Sequence, residues 1–211
     1  LMLFLSSGYA ADLSSSLAGW GSWAQIESGK ALVKLNSQDS SNPSISLSFN
    51  GGGSTSLVSR SGITIQDNAL AVSFWCRLDS GSAAPVWITL SEADKFINDG
   101  GADTFRAPMG SLSAGEWKKI VIPMSAFTYA FTKGQGGDHK MARAKIDKLS
   151  FCIHSYSEPF SFSISALEFI DSIPSESSAT TQVLPSDSRN LFSGDCSFET
   201  GINDWLYFKG T

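Results

Sequence analysis

Short runs of alternating apolar and polar residues, separated by turn residues, constrain the fold of this chain more than any other feature. Alternation at every second position is typical of β-strands, because successive side chains of a strand point to opposite faces. No segment carries a long apolar period of 3.6 residues, so the sequence predicts an all-β sandwich of two antiparallel sheets. The predicted strands are Ala31–Leu35, Ser44–Phe49, Ile63–Ile65, Leu70–Leu78, Val86–Leu90, Trp117–Ile122, Lys148–Ile153 and Phe160–Ile170.

Charge and hydropathy limit the partners that we expect. The 211 residues include 15 Lys and Arg against 20 Asp and Glu, a net charge of −5. The basic residues concentrate at Lys118-Lys119 and at 140–148, where acidic residues interrupt them. Nucleic-acid binding needs clustered cations that neutralise phosphates, so we expect no nucleic-acid partner. Beyond the first residues no stretch is long and apolar enough to span a membrane, so we expect no membrane span.

The first ten residues resemble the end of a secretory signal. An apolar run, residues 1–5, leads into small residues, with Gly8 and Ala10 at the −3 and −1 positions of a cleavage site. We interpret residues 1–10 as a partial signal peptide and predict a secreted or cell-surface protein. A buried first strand is the alternative interpretation of this run.

The composition changes after Ile170. The predicted sandwich occupies residues 11–171, and residues 172–189 are rich in Ser, Thr and Pro, as in an interdomain linker. Residues 190–211 carry aromatic side chains but are too few to form a core. They are predicted to be the truncated start of a second, similar module.

This C-terminal segment contains a recognisable motif. Asn190, Leu191, Gly194, Phe198, Glu199, Gly201 and Trp205 follow the order of the motif N-L-x-x-(N/G)-G-x-F-E-x-G-x-x-x-W, with Asp195 in place of its second Gly and one extra residue before Phe198. It resembles the opening of carbohydrate-binding modules of families 4, 9 and 22, and of galactose-binding-like jelly rolls. Residues 115–127 are similar to a second motif of such modules, G-x-W-x-x-(I/V)-x-(I/V)-P-x-S-x-F.

The resemblance implies a jelly-roll β-sandwich of the kind attached to secreted glycoside hydrolases. It also implies a structural calcium in these modules. The acid after Phe198 is then a candidate ligand, as are acids near the last strand of the first domain. The candidate calcium ligands are Glu168, Asp171 and Glu199.

Large side chains on the polar faces of the predicted strands are candidates for ligand contact. Alternation places Trp75 and Arg77 opposite the core face of their strand, and it does the same for Trp87 and His154. Indole rings stack on the apolar faces of pyranoses, and Arg and His hydrogen-bond to hydroxyls at the rim. Ordinary packing beneath a loop is the alternative for these tryptophans. Trp20 and Trp23 are expected to pack at the start of the domain, and Trp117 in the core.

Catalysis is harder to support from the sequence. Glycoside hydrolysis needs two carboxylates across a cleft, and the acids at 92–103 lie in polar, turn-like sequence. His139 and His154 have no GxSxG or HExxH context. We therefore predict a non-catalytic carbohydrate-binding accessory module of a secreted polysaccharide-degrading protein, with a polysaccharide or oligosaccharide as partner. A structural or adhesive cell-surface sandwich without a sugar pocket is the alternative, and hydrolysis of glycans by the fragment itself is a weaker third one.

Overall fold

The computed structural model describes residues 12–25, 31–36, 43–53, 55–82, 85–112, 114–154 and 156–173. Short 3₁₀ helices lie at Asp94–Phe96, Met124–Ala126 and Arg143–Lys145, and none of the described helices is long and apolar enough to cross a membrane. In these ranges the strands are β1 (Trp20–Ala24), β2 (Leu32–Asn36), β3 (Ser44–Phe49), β4 (Ser56–Ser61), β5 (Ala71–Ser80), β6 (Trp87–Glu92), β7 (Ala102–Pro108), β8 (Lys118–Pro123), β9 (Thr128–Lys133), β10 (Ile146–Ile153) and β11 (Phe160–Ile170).

The strands form two antiparallel sheets that pack face to face. The six-stranded sheet has the order β1-β4-β10-β6-β7-β9, and the five-stranded sheet has the order β2-β3-β11-β5-β8. Every pairing between these strands is antiparallel. The predicted jelly-roll sandwich of two antiparallel sheets is confirmed.

Seven of the eight predicted strands are present, and the eighth prediction was wrong. The segment Ile63–Ile65 is a loop between β4 and β5. Both isoleucine side chains are buried because the loop closes one end of the sandwich, where the Ile63 amide donates to the Asp147 carbonyl. The strands β1, β4, β7 and β9 were not predicted.

The core lies between the two sheets and is rich in aromatic rings. Phe162 of β11 is fully buried, with its ring centroid 5.9 Å from that of Phe49, 5.8 Å from Phe151 and 6.0 Å from Phe160. Cys76 is also buried on the core face, and burial raises the pKa of its thiol to about 12. Its neutral thiol therefore packs as a small apolar group.

Asp12 fastens the N-terminal segment to the last strand. Its Oδ1 accepts hydrogen bonds from the Ser14 amide (2.8 Å), the Ser14 hydroxyl (2.6 Å) and the Leu167 amide (3.1 Å). The Leu167 amide is available because β11 bulges there, with Ala166 at a φ of 50° and a register shift between Ser165 and Glu168. One carboxylate thus satisfies the backbone donor that the bulge removes from the sheet.

Replacing Asp12 by alanine is expected to lower the free energy of unfolding by about 1–3 kcal/mol, because the buried Leu167 amide loses its nearest acceptor. Asp12→Asn keeps an acceptor oxygen and is expected to cost less. Urea unfolding followed by tryptophan fluorescence measures both, with Asp99→Ala in an exposed turn as the control. Equal stabilities of Asp12→Ala and Asp99→Ala would show that the N-terminal segment is not fastened in this way.

The remaining domain predictions fall outside the described residues. They concern the signal peptide at 1–10, nearly all of the linker at 172–189 and the start of a second module at 190–211. They stay predictions.

Candidate functional site

The outer face of the six-stranded sheet forms a groove with a volume of about 390 Å³. Its wall and floor come from β1, β4, β10, β6, β7 and β9, together with the residues that flank β1 and β10. The inner-face residues of the same strands, such as Val58, Leu90 and Phe151, are core. The groove is therefore made by the outward-facing residues of the alternation.

The strand register arranges the outer-face side chains in three rows that run across the strands. The aromatic row contains Trp23, Leu57, Cys152 and Trp87. The hydroxyl row contains Gly21, Ser59, Ser150, Thr89 and Arg106. The lysine row contains Ser61, Lys148, Ser91, Thr104 and Phe131.

Two indoles stand at either side of the aromatic row. Trp23 lies on β1 and Trp87 on β6, with β4 and β10 between them. Three strand spacings separate their backbones, which is about 14 Å. Leu57 and Cys152 lie between the indoles, so this row offers an apolar surface bounded by two aromatic rings.

The floor of the groove is made of hydroxyl groups. The Ser59 and Ser150 hydroxyls are hydrogen-bonded at 2.9 Å, and the Thr104 hydroxyl donates to the Ser91 hydroxyl at 3.0 Å. Gly21 continues the hydroxyl row on β1, and a Cβ at that position would meet no atom within 4 Å. Hydroxyls both donate and accept, so this floor can match a ligand that carries many hydroxyls of its own.

Arg106 and His154 lie near Trp87. The Arg106 guanidinium carbon is 4.8 Å from the centroid of the Trp87 ring, a cation–π contact. His154 Nδ1 is 3.3 Å from the Thr55 hydroxyl, and its Nε2 is 3.8 Å from the Cys152 sulfur. Burial, and then the positive charge of Arg106, lower the pKa of His154 below its ordinary value. At neutral pH this imidazole is therefore uncharged, with one donor and one acceptor nitrogen.

The lowered pKa of His154 predicts a loss of stability in mild acid. Below its ordinary value of 6.5, the unfolded chain takes up a proton that the folded chain resists, so the unfolding free energy falls as pH falls. His154→Gln removes this contribution and is expected to lose less stability than the parent chain between about pH 7.5 and about pH 5. Urea unfolding at both pH values tests this, and parallel losses would contradict it.

A cluster of charged groups lies next to the lysine row of the groove. The Asp94 carboxylate is 3.1 Å from the Lys133 ammonium and 3.7 Å from that of Lys148. Burial, and then the neighbouring Lys148, lower the pKa of Lys133, while Asp94 opposes the shift. Burial acts to raise the pKa of Asp94, but the two ammonium groups hold it below its ordinary value.

The structure divides the predicted sugar-binding residues between the two sheets. Trp87 and His154 line the groove. Trp75 and Arg77 lie on the outer face of the five-stranded sheet, where Trp75 is 41% exposed and the Arg77 guanidinium carbon is 4.8 Å from the Trp117 ring centroid. The two pairs cannot contact one sugar ring together. As sugar contacts, all four remain predictions.

The predictions for Trp20, Trp23 and Trp117 were only partly correct. Trp20 packs as predicted, stacked on Phe151 at a centroid distance of 6.3 Å, with its Nε1 donating to the Leu13 carbonyl at 3.0 Å. Trp23, expected to pack as well, lines the groove. The prediction that Trp117 is a core residue was wrong: it precedes β8 and is 38% exposed, because the inner face of that strand begins at Ile120.

The groove also contains residues that the sequence analysis did not select. Arg106 comes from β7, a strand that was not predicted, and Lys133 and Lys148 were considered only as solvated charges or not at all. The alternation in Trp20–Ala24, where Gly21 and Trp23 share a face, was the available indication for β1.

In the described part of the chain, the candidate calcium ligands Glu168 and Asp171 do not form a cluster with a third acidic residue. Glu168 lies at the β11 bulge, and the Asp171 carboxylate accepts from the Asn68 amide at 3.5 Å. Among the described residues no group of three or more His, Cys, Asp or Glu is placed to hold a metal ion. Glu199 lies outside the described residues. A structural calcium stays a prediction.

Solved structures with a similar fold include several carbohydrate-binding modules. A family 11 carbohydrate-binding module from Clostridium thermocellum, in complex with a β-1,3-1,4-mixed-linked tetrasaccharide, has a TM-score of 0.64 at 21% identity, covering 78% of this chain and 95% of that one. The chain has the fold of these modules. The family 30 module of the cellulosomal cellulase Cel9D-Cel44B of the same organism has a TM-score of 0.56 at 10% identity, covering 72% and 92%. No protein-family model and no curated protein matches the sequence.

The resemblance to carbohydrate-binding modules that the sequence motifs predicted is confirmed at the level of fold. The similar structures are β-sandwich modules of families 11 and 30, whereas the motifs pointed to families 4, 9 and 22.

Proposed function

We propose that this chain is a non-catalytic carbohydrate-binding accessory module whose groove holds a segment of one polysaccharide chain. The observation that carries the proposal is the groove itself: an open surface across one sheet, with a row of hydroxyls beside an apolar row bounded by Trp23 and Trp87. Sugars present the same two chemistries, apolar C–H faces and a rim of hydroxyls. The shared fold with modules solved as carbohydrate-binding modules supports the proposal.

The aromatic row and the hydroxyl row contact the sugar in different ways in this proposal. The Trp87 ring stacks on a pyranose face and is held in place by Arg106, which lies 4.8 Å from the centroid of the indole ring. Ser150 and Thr89 donate to and accept from sugar hydroxyls, and the neutral imidazole of His154 does the same near the edge. Strands hold all these groups, so the groove is largely preformed and little ordering accompanies binding.

Trp75 and Arg77 are proposed as a second, separate contact on the five-stranded sheet. The exposed indole is flanked by the Arg77 side chain, which pairs with Asp79 at 2.8 Å. Such a face could meet a neighbouring chain of an insoluble polysaccharide. Because the two faces point away from each other, Trp75→Ala alone tests this contact without touching the groove.

The setting of the domain is also proposed. The apolar run at residues 1–5, the Ser/Thr/Pro-rich residues 172–189 and the motif at residues 190–205 favour an exported protein that acts on polysaccharide, such as a glycoside hydrolase. A similar structure is a family 11 module of the cellulosomal cellulase Lic26A-Cel5E of Clostridium thermocellum, with a TM-score of 0.60 at 18% identity.

The test is binding of the purified 211-residue chain to plant and algal polysaccharides by affinity electrophoresis and calorimetry, with calcium and with EDTA. Saturable binding to at least one glycan is expected. No binding to any glycan would contradict the proposal and favour the structural or adhesive alternative. The same samples test the structural calcium, since a bound ion raises the unfolding temperature when calcium replaces EDTA.

A further inference from the structure

The side chains of the groove differ in charge from the rest of the chain. The chain carries a net charge of −5. The groove is lined by Arg106, Lys133 and Lys148, and none of its described lining residues is Asp or Glu. A surface with this composition attracts anions, and it does so against the overall charge of the protein.

One neighbouring acid reduces this charge without cancelling it. Asp94, at the margin of the groove, lies 3.1 Å from the Lys133 ammonium and 3.7 Å from that of Lys148. Glu92 and Asp138 lie near Lys145 instead, at 3.9 Å and 4.0 Å. Three cations and one carboxylate leave a net charge of about +2 facing the groove.

Arg106 is the cation best placed for a ligand. In the described part of the chain no carboxylate lies within ion-pair distance of its guanidinium, which rests on the Trp87 ring. This contact holds the guanidinium beside the indole, and its N–H groups can donate to two oxygens of one anion. A sugar that contacts Trp87 therefore lies close to a cation.

We propose that the polysaccharide bound in this groove is acidic, with one anionic substituent at Arg106 and another at the Lys133–Lys148 pair. This inference rests on the proposed function and names the class of glycan: one that carries carboxylate groups, as uronates do, or sulfate esters. Both are planar or fork-like oxygen anions that suit arginine. Arg106 and Lys148 lie two strands apart, about 10 Å, and one row apart, so the two anions belong to different sugar units.

Lys133 supports the same inference. Its side chain is only 17% exposed, and burial together with the neighbouring Lys148 disfavours its charged form. The Asp94 carboxylate offsets part of this repulsion, and a second anion on the groove side would offset more of it, whereas a neutral sugar would add to the burial without offsetting it.

The test compares acidic with neutral glycans, including one pair that shares a backbone and differs only in charge. Calorimetry with the full chain uses polygalacturonate, the same polymer with its carboxylates methyl-esterified, a sulfated galactan and a neutral mixed-linked β-glucan, at roughly 20 mM and roughly 500 mM salt. At least one acidic glycan is expected to bind tenfold or more tightly than both neutral ones, with affinity falling at high salt. The polyuronate and the sulfated galactan separate carboxylate from sulfate.

Substitutions of the groove cations test whether the preference for acidic glycans arises in the groove. Arg106→Gln and Lys148→Met are each expected to weaken binding of the acidic glycan by about tenfold, which is about 1.4 kcal/mol. Lys119→Met, an exposed lysine of β8 in the other sheet, is the matched control and is expected to change nothing. Circular dichroism checks that each variant is folded.

Two outcomes overturn the inference and are distinguishable. Binding of the neutral glycan with equal or greater affinity, insensitive to salt, would leave the carbohydrate-binding function intact and show that the ligand is neutral. No binding to any of the four polymers or to the wider panel would overturn the proposed function and this inference together.

Discussion

Replacing Trp87 by alanine is expected to weaken glycan binding by about thirtyfold, which corresponds to about 2 kcal/mol. The indole bounds the aromatic row, and its loss removes both the stacking surface and the support for the Arg106 guanidinium, which lies 4.8 Å from the ring centroid. Calorimetry with the tightest glycan of the panel measures the effect.

Trp117→Ala is the matched control for this variant. Trp117 is also partly exposed, and it also stacks with an arginine, Arg77, but on the five-stranded sheet. We expect its replacement to leave the affinity for a soluble glycan within a factor of about two, because the second contact proposed at Trp75 and Arg77 meets only a neighbouring chain of an insoluble polysaccharide. Equal losses of affinity in the two variants would contradict the assignment of the site to the groove.

Replacing Phe162 by alanine is expected to lower the free energy of unfolding by about 3–5 kcal/mol. The ring is fully buried between the sheets and has three aromatic neighbours, Phe49, Phe151 and Phe160. Closely packed neighbours on a strand scaffold cannot collapse into the vacated volume, so the cavity persists. Urea unfolding measures the loss, and a variant that is unfolded without urea meets the same expectation.

Two further variants calibrate this loss. Phe162→Leu retains most of the apolar volume and is expected to cost about 1–2 kcal/mol. Leu32→Ala removes a leucine that is 51% exposed and is expected to change the free energy by about 0.5 kcal/mol or less. A cost for Phe162→Ala no larger than that for Leu32→Ala would contradict the described packing of the two sheets.

The strands that the sequence predicted are those with a continuous apolar face. In β3, β5 and most of β11 every second residue is an apolar core side chain, so the pattern alone identified them. The four unpredicted strands, β1, β4, β7 and β9, all belong to the six-stranded sheet. Their outer faces mix polar and apolar groove residues, and their inner faces include Arg60 and Asp103. Polar residues on the inner face interrupt the apolar alternation, which therefore did not identify these strands.

The candidate site could be predicted only in part. Alternation established that Trp75 and Trp87 both point away from the core, but it does not determine which sheet a strand joins. That choice is made by long-range pairing: β5 pairs with β8 and β11, and β6 pairs with β7 and β10. Lys133 and Lys148 meet Asp94 through the same sheet order. Local sequence carries no information on such contacts.

The most direct test of the central claim is to locate the bound glycan by NMR. The chain has six tryptophans, whose indole N–H signals are resolved in a ¹H–¹⁵N spectrum of the full chain and assigned by single Trp→Phe variants. Titration with the tightest glycan of the panel is expected to shift the signals of Trp23 and Trp87 most and to leave that of Trp117 in place. Shifts confined to Trp75 and Trp117 would place the ligand on the five-stranded sheet and contradict a binding site in the groove.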